Sequence, residues 1–255
     1  AVLMQAGSGR VVGDINGETP MYPASMTKIM TTIVAIENLS NLNQEITVTN
    51  DMIANLYAQD ATQAGFQPGE TVQAIDLLYG VMLPSGADCC IALADTIAGS
   101  EEGFVELMNQ KAEKLGLENT HFCNTTGLHA DDHYSTAKDI AELLRYALKN
   151  STFREIIESP YHSTHGTNVH PDGITFYSTM FKNLSDTTVI DGKIMGGKTG
   201  FTSEAGCCLA SFAEIDDIEY ILVTAGAYQA GTPHIDDAVK LYNRLGEASS
   251  VLYGR

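Results

Sequence analysis

Basic residues are scarce in this chain. Fourteen lysines and arginines stand against 32 aspartates and glutamates, a formal net charge of −18. Binding to nucleic acid needs a basic footprint on the phosphates, so that class is excluded. The same charge opposes close approach to anionic lipid, and its plain effect is solubility through self-repulsion. No apolar run reaches the length of a membrane span. The opening AVLMQAGSGRVVGDI has neither a basic n-region nor an apolar h-region. Two expectations follow, a cytosolic protein or one whose signal has been removed. C-x-x-C spacing is also missing, which removes the usual sign of zinc or thioredoxin-type chemistry. The five cysteines are Cys89, Cys90, Cys123, Cys207 and Cys208. They read as small, mostly buried residues; one disulfide is the alternative, and an odd count would still leave a thiol over. Internal repeats, low-complexity linkers and charge runs are lacking too, so one domain over residues 1–255 is expected.

What is present describes a globular chain. At 255 residues, with 44% hydrophobic and 18% charged residues, it can bury a large core. The first 15 residues read as a hairpin around Gly-Ser-Gly. A helix then carries Ile29, Met30, Ile33, Val34, Ile36 and Leu39 at helical spacing. EITVT reads as a short strand, and Thr71 as the cap of a helix that Pro84 ends. Further helices close at Gly99 and Gly116, and another starts at Ser135 or Thr136 with Asp139 in its first turn. Residues 151–191 show no clear period and are expected to be irregular. KIMGGKTGFT, GCCLASFAEI and IEYILVTAGA read as strands, with a tight turn at DDIE, before a final helix over 234–247. The pattern predicts an α+β fold: a five-stranded antiparallel sheet flanked by helices, with a helical subdomain over about residues 40–190.

Chemistry enters at the mouth of the first helix. Ser25 and Lys28 are three apart, so on a helix they share a face with Cβ atoms about 5–6 Å apart. A lysine desolvated there is pushed toward the neutral amine and can take the serine's proton. A capping serine with a solvated lysine is the plain alternative, and the spacing alone does not decide. A second motif adds weight. Lys198, Thr199 and Gly200 form K-T-G in a strand-like run, where a cation, a hydroxyl and a side-chain-free position can receive a carboxylate and a substrate backbone.

S-x-x-K and K-T-G in this order belong to the penicillin-binding motif set. Together with LLYGVMLPSGADCCIALA and NTTGLHADDHYSTAKDIAELLRYAL, they make the chain similar to the serine D-alanyl-D-alanine carboxypeptidases over nearly its whole length. These are the low-molecular-mass penicillin-binding proteins of bacterial cell walls. The resemblance implies Ser25 as acylated nucleophile and Lys28 as its base. Ser85 would relay the proton to the leaving D-alanine with Lys198 in support, and Thr199 would bind the terminal carboxylate. Backbone N–H groups of Ser25 and Phe201 would form an oxyanion hole, with Gly200 and Thr202 beside them on the substrate strand. It further implies a peptidoglycan stem peptide ending in D-Ala-D-Ala as substrate, β-lactams as covalent inhibitors and an extracytoplasmic location, with a membrane tether outside this chain. No cofactor or metal is expected. The family's second motif is S-x-N; Ser85-Gly86-Ala87 departs from it, and Asp88 is turned by about 100° on a helix.

Two other readings stand beside this one. A class A β-lactamase shares the serine and lysine motifs but needs a deacylating glutamate; Glu142, Glu155 and Glu158 are available, though none lies in an E-x-x-L-N context. A catalytically weak wall-peptide binder would follow from Ala87. His129, Asp131, Asp132 and His133 have the residue types of a zinc site, but lack helical character and read as a polar loop, as does HSTHGTNVH.

Overall fold

The computed structural model describes residues 1–253; Gly254 and Arg255, the end of the expected domain, lie outside the described residues. The chain opens on β1 (Val2–Gln5) and β2 (Val11–Asp14). A 3-10 turn over Ala24–Thr27 leads into α1 (Lys28–Asn38). Next come β3 (Glu45–Thr47), α2 (Asn50–Ile53), β4 (Thr71–Gln73), α3 (Ala74–Met82) and α4 (Ala87–Ala98). Helices α5 (Glu101–Leu115), α6 (Ala137–Ala147) and α7 (Ser151–Glu158) complete the helical part. After them, β5 (Tyr161–Ser163) pairs with β6 (Thr175–Tyr177). The chain ends in β7 (Thr188–Val189), β8 (Gly192–Thr202), β9 (Gly206–Ile215), β10 (Ile218–Ala227) and α8 (Pro233–Tyr253).

Alternation along the late strands sets the layers. Cys208, Ala210 and Phe212 of β9 join a core with the helices, while Leu209, Ala213 and Ile215 join another with Ile235, Ala238 and Tyr242 of α8. Period-two side-chain direction puts these sets on opposite faces of one antiparallel sheet. Its order is β2-β1-β10-β9-β8-β7. The α+β sheet is therefore as expected, with six strands instead of five. The addition is β7, whose two residues pair with Gly192 and Lys193, too short to leave a period in the sequence.

Several local expectations need correction. Thr71 is not a helix cap: it pairs with Thr47 in the β3–β4 ribbon, and Gln73 precedes α3 instead. Its β-branched side chain suits the pleat better than the cap. Residues 151–191 are not irregular, since α7, the β5–β6 hairpin and β7 occupy much of them. The hairpin is strapped down by distant carboxylates: His162 and His165 contact the buried Asp76 at 2.7 and 2.9 Å, and His170 contacts the buried Glu70 at 2.8 Å. HSTHGTNVH is thus not wholly a loop: His162 and Ser163 belong to β5, and the rest leads out of that strand and ties the hairpin to the body. Four cysteines are buried, Cys123 is exposed, and all five are free thiols. The tight turn at Asp216 and Asp217 is as expected, both residues having positive φ.

Candidate active site

Ser25 is not on an α-helix but in the 3-10 turn that precedes α1, and Lys28 is the first residue of that helix. A 3-10 turn brings residues three apart into register. Lys28 Nζ accordingly lies 3.1 Å from Ser25 Oγ. The turn is entered through Ala24, at φ 46°, a left-handed conformation that costs a residue with a Cβ about 1–2 kcal/mol. Packing holds it there. A Cβ added to Gly200 of β8 would sit 2.9 Å from Ser25 N and 3.1 Å from Ala24 Cβ. Glycine at 200 is what lets the strand edge lie against the serine turn.

Lys28 is buried, and its Nζ donates to Thr126 O at 2.5 Å as well as facing Ser25. Burial lowers its pKa; the ionised forms of Cys90 and Asp88 oppose this more weakly. Lys198, fully buried on β8, bonds Ser85 Oγ at 3.1 Å and Thr199 O at 2.9 Å. Its pKa falls further, through burial first and then the charge on Lys28. Ser85 sits at φ 69° in the turn between α3 and α4, another strained position, beside the Lys198 amine. Thr199 Oγ1 lies 2.6 Å from Thr179 Oγ1. Ser25, Lys28, Ala87, Phe201 and Thr202 line a common cleft of about 70 Å³. Beside it lies a cavity of about 620 Å³ that shares Asp60, Thr62, Thr126, Leu128, Phe201 and Thr202 with it. Two serine–lysine pairs, from both ends of the sequence, thus meet at the junction of the sheet edge and the helices.

Asp88 does not stand in for an amide at position 87. Its buried carboxylate is taken up by backbone N–H groups, accepting from Ala64 at 2.8 Å, Gly65 at 3.0 Å and Phe66 at 3.3 Å. His133 lies behind α1, with Nε2 2.8 Å from Thr27 Oγ1 and Nδ1 accepting from Cys123 N at 3.0 Å. Burial, then the charges of His121, His129 and Lys28, lowers its pKa to about 4. Its two nitrogens are committed to protein groups, and no group of three or more metal-ligating side chains converges among the described residues.

Sequence reasoning missed Thr126, whose carbonyl holds Lys28, and Thr179, which holds Thr199. The first acts through its backbone and leaves no side-chain signal. Its neighbour Gly127, at φ 83° against Ala24, is the nearest visible trace.

A hydroxyl beside a desolvated amine, facing a second such pair across a strand edge, is the arrangement of serine acyl transfer. Residues 1–229 match the D-alanyl-D-alanine carboxypeptidase family, peptidase S11, and the chain belongs to it. It is 33% identical over 230 residues to the D-alanyl-D-alanine carboxypeptidase DacF of Bacillus subtilis, covering 89% of this chain and 57% of that protein. To DacC of Escherichia coli it is 35% identical over 232 residues, covering 89% and 56%. The chain thus spans somewhat over half the length of these relatives. Against the D-alanyl-D-alanine carboxypeptidase of Streptomyces sp. K15 it is 31% identical, covering 94% of this chain and 84% of that one. A solved mutant of the Streptomyces K15 DD-transpeptidase superposes with a TM-score of 0.86 at 28% identity, covering 97% and 96% of the two chains.

Proposed function

We propose that this protein is a serine-type D-Ala-D-Ala carboxypeptidase acting on peptidoglycan stem peptides, within one domain that spans the chain and whose residues from about 40 to 190 form a helical subdomain. The observation that carries the reading is the 3.1 Å approach of Lys28 Nζ to Ser25 Oγ in a buried setting. In the reactive form Lys28 is neutral, donates to Thr126 O and accepts the Ser25 hydroxyl proton. Ser25 Oγ attacks the carbonyl of the terminal peptide bond, and backbone N–H groups of Ser25 and Phe201 receive the developing oxyanion. Ser85 passes its hydroxyl proton to the departing D-alanine nitrogen and is reprotonated by Lys28, which returns to the neutral amine. The substrate's terminal carboxylate, bound by Thr199 and Lys198, restores the charge on Lys198 and keeps Lys28 the neutral partner of the two. Gly200 and Thr202 flank the substrate backbone. Water then attacks the ester, with Lys28 as base. Penicillins enter the same sequence and stop at the ester. Such a substrate lies outside the cytoplasm, which is where the enzyme would act; no described helix is long and apolar enough to cross a membrane.

The three glutamates open to the β-lactamase reading are engaged with other side chains. Glu142 pairs with Arg145, Glu158 with Arg154, and Glu155 approaches Tyr79. A weak binder remains the reading that Ala87 favours. The test is intact mass after penicillin, for the native chain and Ser25→Ala, alongside D-alanine release from diacetyl-Lys-D-Ala-D-Ala. A long-lived adduct on the native chain alone, with D-alanine released, is the expected result. No adduct, or the same adduct on Ser25→Ala, overturns the proposal. Rapid penicillin turnover favours the lactamase, and an adduct without D-alanine release the binder.

A further inference from the structure

The methyl group of Ala87 leaves one wall of the cleft without a polar side chain, and a different segment fills that wall. Residues 60–62 line the cleft with Ser25 and Lys28, although they precede the second serine motif by more than twenty positions. They are held there by α4. Ala87 N donates to Thr62 O at 2.7 Å. Asp88, itself buried, takes three further donors of the segment, the N–H groups of Ala64, Gly65 and Phe66. Three charge-assisted bonds to one buried carboxylate fix a loop that has no helix or strand of its own. Gly86 completes the fit, because a Cβ there would come 2.7 Å from Ala64 Cβ. The S-G-A-D run therefore works as a clamp on the loop.

The clamp brings one hydroxyl to the cleft. Three threonines line it: Thr62, Thr126 and Thr202. Thr126 Oγ1 is engaged with Asn124 and Leu128 N, and Thr202 Oγ1 with Ala205 N. Thr62 Oγ1 has no hydrogen bond to the protein among the described residues, and Thr62 borders both the small cleft and the larger cavity beside it. Thr62 is exposed, so its backbone is pinned by Ala87 while its hydroxyl stays open to whatever enters the cleft.

We infer that Thr62 is a substrate-binding residue, its hydroxyl bonding the amide of the stem peptide on the acyl side of the scissile bond, and that Asp88 is the positioning residue that holds it there. This rests on the carboxypeptidase reading and adds to it the source of the polar contact that Ala87 does not supply. A hydroxyl both donates and accepts, so it can meet either the carbonyl or the N–H of a peptide unit.

The experiment measures D-alanine release from diacetyl-Lys-D-Ala-D-Ala by Thr62→Val, Thr62→Ser, Asp88→Asn and the Thr62→Val/Asp88→Asn pair. The penicillin adduct, read by intact mass, serves as the check that each variant is folded with a working Ser25. Thr62→Val is expected to lower kcat/KM about tenfold, the scale of one hydrogen bond, and Thr62→Ser to recover most of that loss. Asp88→Asn should speed amide exchange at 64–66 and lower kcat/KM in the native background, yet change it little once Thr62 is valine. Such non-additivity separates positioning from general destabilisation. Equal kcat/KM for Thr62→Val and the native chain overturns the inference, as does an Asp88→Asn loss of the same size in both backgrounds. Should Asp88→Asn fail to fold, the two Thr62 variants decide alone. Failure of the carboxypeptidase reading itself looks different: the native chain then releases no D-alanine.

Discussion

A lysine surrounded by apolar neighbours sheds its proton more readily than one in water, and Lys28 is so placed. Protonated, it cannot accept from Ser25. The rate of covalent labelling by penicillin should therefore rise about tenfold per pH unit on the acid side and level off below the ordinary lysine range; a stopped-flow or gel-labelling pH profile checks this. His133 gives the stability counterpart. Its folded pKa of about 4 lies below its ordinary value of 6.5, so it is held neutral while an unfolded chain would already be protonated. Its contribution is complete above about pH 6.5 and is lost as pH falls toward 4, up to about 3 kcal/mol over that window. Urea midpoints at the two ends of the window should diverge in the native chain and much less in His133→Asn. At this scale the sequence was informative about side chains singled out by their own type: Ser25 and Lys28 line the cleft, and Ser85 is bonded to Lys198 on the strand that supplies Phe201 and Thr202 to it. It was silent on Thr126, which acts through a carbonyl, and on Asp88, whose partners lie more than twenty residues away.

Elements with a long period were legible and short ones were not. Helices α4, α5 and α6 ended or began at the glycines and threonine that the sequence marked, Gly99, Gly116 and Thr136. Helix α7 has eight residues and buries only Phe153, Ile156 and Ile157, one turn and a half of signal. β5 and β6 have three residues each, and their hold on the body comes from Asp76 and Glu70, contacts that no local pattern encodes. The 3-10 turn at Ser25 escaped for a related reason, since four residues at the edge of a helix share its apolar spacing. The junction between this turn and β8 yields a prediction. Gly200→Ala places a methyl group 2.9 Å from Ser25 N and must push strand and turn apart. Displacement on the order of 1 Å can cost about a hundredfold in rate, so penicillin labelling should slow by about that factor while far-UV circular dichroism stays unchanged.

Across the whole molecule, the excess of acidic residues is spread over a chain with few cations to offset it. Self-repulsion of that kind weakens the folded state and is screened by salt. Thermal unfolding in about 0.5 M sodium chloride should occur a few degrees above that in about 0.02 M, where the screening length is several-fold greater; a buffer-matched calorimetric scan tests it, and an unchanged midpoint would place the repulsion elsewhere.

The sheet carries one more implication. Val2 lies opposite Val223, so β1 and β10, from the two ends of the described chain, are neighbours with all the helices before α8 lying between them in sequence. During synthesis β1 lacks its β10 partner until residues 218–227 have emerged. Long-range pairing of this sort slows folding, and Lys198 reaches Ser85 only when the late strands dock. Penicillin reactivity should consequently appear as a late, abrupt event in refolding, trailing helix formation, and fragments ending before β10 should stay inert however well their helices form.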